Sequence, residues 1–283
     1  MQTVSITWQH SGELAAVLAV VGTTAALSAN SKVRAVGSFL RECAVLAVLY
    51  GLWHLAGRLS AGGQRGAYAR GRWILRFQHD IGLPSEHRMQ HLILGHKLLV
   101  QVANLYYATM HFTTMFVFLL WLFIRHGDRY RPVRQVMAWT TLACLLVQLI
   151  PVAPPRMLPG VVDTAMLYHQ SVYANGLAVD QLSAMPSVHV AWAAFVGFYA
   201  WRVSDSRWRY LGFAHTAMTV FVVVTTGNHY WLDGIVAVLL LTLCAWGVHG
   251  VRSAFHALLR RRCPVRSTDP AVTAPELALV DGL

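Results

Sequence analysis

Seven apolar runs, each roughly 17 to 23 residues long and set apart by short polar or basic stretches, constrain this chain more than any other feature. That is the length an α-helix needs to cross a hydrocarbon core of about 30 Å. A segment in lipid has no water to satisfy its backbone, so each run must be helical. The expected spans are 12–29, 36–57, 103–125, 134–153, 187–203, 209–227 and 230–250. Composition agrees: of 283 residues, 56% are hydrophobic and 12% charged, against about 25% charged in a soluble domain. Residues 1–11 hold no Lys or Arg, so the first run lacks the basic leader of a signal peptide.

The formal charge of +11 raises the question of a nucleic-acid partner, and its placement argues against one. Arg125, Arg129, Arg131 and Arg134 share one connection, Arg202, Arg207 and Arg209 another, and Arg252, Arg260, Arg261, Arg262 and Arg266 follow the last run. Alternate loops are basic, the pattern of loops retained in the cytoplasm beside anionic lipid. Basic residues are not interleaved with aromatics as in a single-strand binder. Arg outnumbers Lys by 21 to 2, a bias typical of GC-rich bacterial genomes, so a bacterial plasma membrane is the expected location.

With those loops inside, residues 154–186 and 227–230 face outward, and the N-terminus and 58–102 do the same. Segment 58–76 carries Arg58, Arg65, Arg70, Arg72 and Arg76, against the charge rule for an outer segment. An amphipathic interfacial helix with Trp73, Ile74 and Phe77 in the headgroup zone accounts for it. An uncounted crossing between 88 and 102 is the alternative. The architecture expected is one all-α polytopic membrane domain over 1–263, with a six-helix catalytic core at about 100–250 and an extra N-terminal helix. The Pro-containing stretch 264–283 is expected to be a disordered tail. Cys43, Cys144, Cys244 and Cys263 are widely spaced and form no Cys-x-x-Cys pair.

Three polar strings interrupt the outward ends of the apolar runs. In Ala184-Met185-Pro186-Ser187-Val188-His189 the proline reads as a first helical residue, with outward amides that favour phosphate, a hydroxyl on Ser187 and His189 beside the bound anion. In Thr226-Gly227-Asn228-His229-Tyr230-Trp231-Leu232-Asp233, His229 and Asp233 lie four apart, which on a helix puts them on one face. A carboxylate on one ring nitrogen sets the tautomer and frees the other to attack. Pro151-Val152-Ala153-Pro154-Pro155-Arg156 ends a span and supplies a guanidinium that can clamp phosphate.

Together these strings resemble the type 2 phosphatidic acid phosphatase superfamily over residues 100–245, and are most similar to its inositol phosphorylceramide and sphingomyelin synthase branch. Val188 stands where the phosphatases carry glycine, and Val223, six residues before His229, where they carry arginine. The resemblance implies His229 as nucleophile, Asp233 as its orienter, His189 as general acid, and Arg156 and Ser187 as phosphate ligands. It implies transfer of a phospho-headgroup such as phosphoinositol to a lipid or glycolipid alcohol through a phosphohistidine, without metal or organic cofactor. Arg131-Pro132 matches the end of the family's basic motif but falls at the opposite end of its span from both histidines. Hydrolysis of a lipid phosphate or polyprenyl diphosphate is the alternative within the family. A transporter or lipid-binding protein is the alternative outside it, disfavoured because no paired broken helices appear.

His111, Asp163 and Asn228 are supporting candidates around the site. His87, His91 and His96 suggest a metal at first sight, but no carboxylate or cysteine at ligand spacing completes a set beyond Glu86. They read as interfacial packing. Trp192, Phe195 and Tyr199 read as core or lipid-facing surface at helical spacing.

Overall fold

The structure is a computed structural model, and it describes residues 8–60, 64–171 and 181–262. The 264–283 stretch and Cys263 lie outside the described residues. Among the described residues the chain forms ten α-helices and no strand: α1 (Trp8–Ala26), α2 (Ser31–Ser60), α3 (Gln64–Asp80), α4 (Glu86–Leu94), α5 (Lys97–Arg125), α6 (Gly127–Gln148), α7 (Thr164–Leu167), α8 (Val188–Val203), α9 (Tyr210–Thr225) and α10 (Trp231–Arg262). Each of the seven expected spans falls on one of the long helices α1, α2, α5, α6, α8, α9 and α10. Ser31–Leu59, Lys97–Arg125 and Trp231–Ala254 are long and apolar enough to cross a bilayer by length and composition.

The outer surface of the bundle is apolar: Leu98, Leu105, Ile124, Leu243 and Trp246 all point outward. Such a surface is stable only in lipid, so the chain is an integral membrane protein. One core cluster joins Leu122, Val136, Met137, Phe195 and Tyr199. A second, nearer the polar strings, joins Val100, Cys144, Ala191, Val223 and Ala237. Phe195 and Tyr199 therefore face the core. Trp192 is half-buried and donates its indole N–H to Thr141 Oγ1 (3.0 Å).

α8 and α9 pack backbone to backbone. A Cβ on Gly212 would lie 2.9 Å from Gly197 Cα, and Thr216 Oγ1 donates to the Ala193 carbonyl across the gap (2.8 Å). Small residues permit this approach, which supplies helix association where lipid leaves little hydrophobic driving force.

The charged segment after α2 is the helix α3, and α4 is only nine residues long, about 14 Å, too short to cross. No extra crossing lies between 88 and 102. One expectation for α3 fails. Trp73 and Phe77 are exposed and stacked (centroids 5.4 Å apart, 10° between planes), but Ile74 is buried with Val152, Leu158, Ala184 and Tyr230. Ile74 lies about 100° around the helix from Trp73, at the edge of that face, and takes the side that meets the protein. α3 thus forms a shelf against the polar strings: Arg70 Nε donates to the Pro151 carbonyl (2.7 Å) and the Ala153 amide to Ala67 (3.2 Å).

Candidate active site

The polar strings converge at one end of the bundle, where α6 and α9 end and α8 and α10 begin. They are laced together by backbone bonds between loops. Val152 bridges to 182–184 in parallel register, donating to the Leu182 carbonyl and accepting from the Ala184 amide (3.2 Å). The Arg156 amide donates to the Gly227 carbonyl (2.8 Å). Gln148, at the last turn of α6, donates its side-chain amide to the Pro186 carbonyl (3.1 Å). These bonds satisfy buried loop backbone that no helix covers and fix Arg156, His189 and His229 relative to one another.

Helix α8 begins two residues after the proline expected to open it. Its N-cap is Ser187, in extended geometry, with the hydroxyl oxygen accepting from the Val190 amide (3.3 Å). Pro186 precedes the cap and is not the first helical residue. Ser187 is fully buried and its amide donates to the Asp233 carbonyl (3.2 Å). Its hydroxyl is engaged in capping, a role in which Ser is strongly favoured, and the neighbouring Val188 and His189 line the pocket instead.

His229 and Asp233 do meet, but not as neighbours on a regular helix. α10 starts at Trp231, so His229 precedes it and Asp233 sits in its first turn. Asp233 Oδ2 accepts the Tyr230 amide (2.8 Å) and lies 3.4 Å from His229 Nδ1. The shorter bond from Nδ1 goes to the Ala184 carbonyl (2.7 Å). A carbonyl only accepts, so Nδ1 carries the proton and Nε2 presents its lone pair. The tautomer the carboxylate was expected to set is set first by a carbonyl, with Asp233 beside it to stabilise positive charge on the ring. The Asn228 and His229 amides both donate to Val223 (3.0 and 3.1 Å), so Val223 holds this turn through its carbonyl while its side chain stays in the apolar core.

His229 Nε2 faces His189 Nδ1 at 3.4 Å. Behind His189, Tyr107 stacks on the ring (4.4 Å, 19°) and His111 crowds it (4.1 Å, 55°). The two histidines border a polar pocket of about 60 Å³ that Arg156, Asn228, Gln148, Gln181 and Ser183 also line. Arg156 is buried, with Nε 3.3 Å from Asp163 Oδ2. Asp163 in turn caps α7 by accepting the Met166 amide (2.9 Å). Of the expected site residues, His189, His229, Arg156 and Asn228 meet in the pocket, Asp233, Asp163 and His111 contact them, and Ser187 supports from below. Arg131 sits at the other end of α6, 17 residues before Gln148, about 25 Å along the axis.

Sequence reasoning missed four lining residues: Trp53, Gln148, Gln181 and Ser183. Only Gln148 carries a signal, as an amide closing an apolar run. It also missed a second support under the turn. Gln78 from α3 accepts the Leu232 amide (2.8 Å) and donates to Glu86 Oε1 (2.8 Å). Glu86 is buried, and burial raises its pKa against the opposing pull of bonds from Gln78 and the Trp231 amide. Two residues outside the expected spans thus cap the start of α10. His87 and His91 do touch (3.1 Å), and the His87 ring also bonds the Gly160 carbonyl, so they tie α4 to the loop after Arg156. Among the described residues no group of three or more potential metal ligands is clustered.

A family model for the PAP2 superfamily matches residues 72–247, more than half the chain. The chain belongs to this superfamily. The match covers every residue of the pocket except Trp53, and starts after α1 and α2. No curated protein and no solved structure matches the chain. Membership brings with it a phosphatase- or phosphotransferase-type activity on lipid phosphates in a membrane.

Proposed function

We propose that this protein transfers a phospho-headgroup, phosphoinositol being the leading case, from a phospholipid to a lipid or glycolipid alcohol, through a phosphohistidine on His229. The observation that carries the assignment is the His229 Nε2 lone pair, held by the Nδ1 bond to Ala184, directed at His189 in a pocket that also holds Arg156.

The chemistry follows from those positions. Nε2 attacks phosphorus, the P–N bond forms, and the P–O bond to the diacylglycerol breaks. His189 donates its proton to the departing oxygen, and Asp233 stabilises the developing charge on His229. The incoming alcohol then loses its proton to His189 as its oxygen attacks phosphorus and the P–N bond breaks. Arg156, aligned by Asp163, neutralises the phosphoryl oxygens, and the amides at the start of α8 add their dipole.

Transfer of a diester, rather than hydrolysis of a monoester, is supported by the position of Val223. A monoester dianion calls for a second guanidinium, and here that position points a valine into the apolar core. The synthase branch of the superfamily shares this feature. The arginines of the connections 125–134 and 202–209 cluster at the bundle end opposite the site, which supports a site facing out of a bacterial cytoplasm. The reading treats 1–263 as one catalytic domain.

The test is incubation of the purified protein in lipid with headgroup-labelled phosphatidylinositol and a glycolipid alcohol acceptor, beside His229→Ala. Label in a new lipid with wild type alone supports transfer. Release of free inositol phosphate instead would move the assignment to the hydrolase, and equal turnover by both proteins would sink the role of His229.

A further inference from the structure

The polar pocket opens beside a much larger apolar space. A cavity of about 680 Å³ lies between α1, α2, α5, α6 and α8, and it shares Trp53, Val188 and His189 with the polar pocket. Its volume falls within the range of about 300–1,000 Å³ that ligand sites occupy. We infer that it holds one hydrocarbon chain of the phosphate-bearing lipid substrate, with α1 and α2 as the wall that selects chain length. The inference rests on the proposal above for the place of the phosphate, between Arg156 and the two histidines.

The dimensions fit a chain lying along the helices. The lining runs from His111 to Leu119 on α5 and from Leu145 to Met137 on α6, ends eight residues apart on each helix, or about 12 Å. That is close to the depth of one leaflet, about half of a 30 Å hydrocarbon core. At the polar mouth Phe112 meets Trp192 edge to face (5.5 Å) and Trp53 (6.4 Å), rings suited to the junction between headgroup and chain. Farther in the lining is Leu46, Ala47, Leu49, Met115 and Phe116, side chains offering a phosphate nothing and a methylene chain everything.

The wall is also fixed in place. Glu42 of α2 binds Arg134 of α6 (3.0 Å) and accepts from Tyr130 Oη (3.1 Å). This half-buried cluster holds α2 against the core beyond the inner end of the cavity. Since α1 and α2 precede the segment that matches the superfamily, chain selection here is carried by helices outside the shared catalytic core.

The test uses a phosphatidylinositol whose palmitoyl chain ends in a diazirine, photolysed on wild-type protein in nanodiscs and mapped by mass spectrometry. Labelling is expected on α2 around Leu46–Tyr50 and on α5 around Met115–Leu119, and unlabelled dipalmitoyl phosphatidylinositol should compete it away. Ala47→Trp should lower that labelling, and lower the ratio of palmitoyl to hexanoyl substrate turnover, by about tenfold, since each methylene denied burial is worth a factor of about four. Label on outward residues such as Leu105 and Leu239, label that resists competition, or a ratio unchanged by Ala47→Trp overturns the inference. Competed labelling of α2 in a protein with no transferase activity would instead overturn the proposed reaction and leave the chain site standing.

Discussion

Gly71→Ala in α3 is a substitution whose sign separates two views of this helix. Replacing an interior helical glycine normally stabilises, by about 0.5–1 kcal/mol. Here the added Cβ would fall 2.7 Å from Tyr230 Oη and 2.8 Å from the Ala153 carbonyl oxygen, the two atoms already bonded to each other at 2.6 Å. Neither is a flexible end: Tyr230 is fully buried and Ala153 is bonded to α3 through its amide. Overpacking costs about 1–3 kcal/mol, and breaking the buried hydroxyl bond about 0.5–1.5. Midpoints leave a net loss of about 2 kcal/mol after the propensity gain is subtracted. For a chain of this size that is a fall of about 4–8 °C in the thermal midpoint. Tyr230 adjoins His229, so kcat should fall as well. Thermal unfolding in detergent beside Gly247→Ala, where a Cβ meets nothing within 4 Å, gives the comparison. Equal stabilisation by both substitutions would refute the view that α3 is a shelf pressed against the site.

Gly227→Ala should be worse for activity than for stability. Its φ of +68° disfavours a side chain by about 1–2 kcal/mol, and the new Cβ would lie 2.7 Å from Val161 and 3.3 Å from Arg156, so a raised KM in a substrate titration is expected. Arg156→Lys should lower kcat/KM by about a hundredfold, because an ammonium cannot keep both the Asp163 contact and a forked grip on phosphate; steady-state kinetics decide it. Glu86 binds its proton more tightly folded than unfolded. Stability should therefore fall as pH rises from the ordinary glutamate value, about 4.3, through the raised one, and level off above it. Glu86→Gln should flatten that limb of the thermal midpoint against pH, and an unchanged slope would contradict the assignment.

The order of helices was legible because a membrane leaves few solutions: a long apolar run must be a helix. The pairing of His229 with Asp233 was legible in their spacing, though the helix begins between them and the spacing works through a capping turn. The burial of Ile74 was not legible, because apolar residues at 73, 74 and 77 do not say which edge of their helix face meets protein until the neighbouring loop is in place. Gln78 and Glu86 could not be read as supports of the active turn. They act across more than 140 residues of sequence, through bonds to the Trp231 and Leu232 amides, and backbone partners leave no pattern in side-chain order. The apolar cavity was hidden for a similar reason. Its lining comes from five helices at positions indistinguishable by composition from those that face lipid.

The central claim is that His229 carries the phosphorus between donor and acceptor. The most direct measurement is rapid quenching of wild-type protein with phosphate-labelled phosphatidylinositol, without acceptor, followed by peptide mapping under conditions that preserve phosphoramidates. The account predicts acid-labile phosphoinositol on the peptide containing His229, absent from His229→Ala and discharged on adding the alcohol. Label on His189, or acceptor-dependent product formed at full rate by His229→Ala, would contradict it.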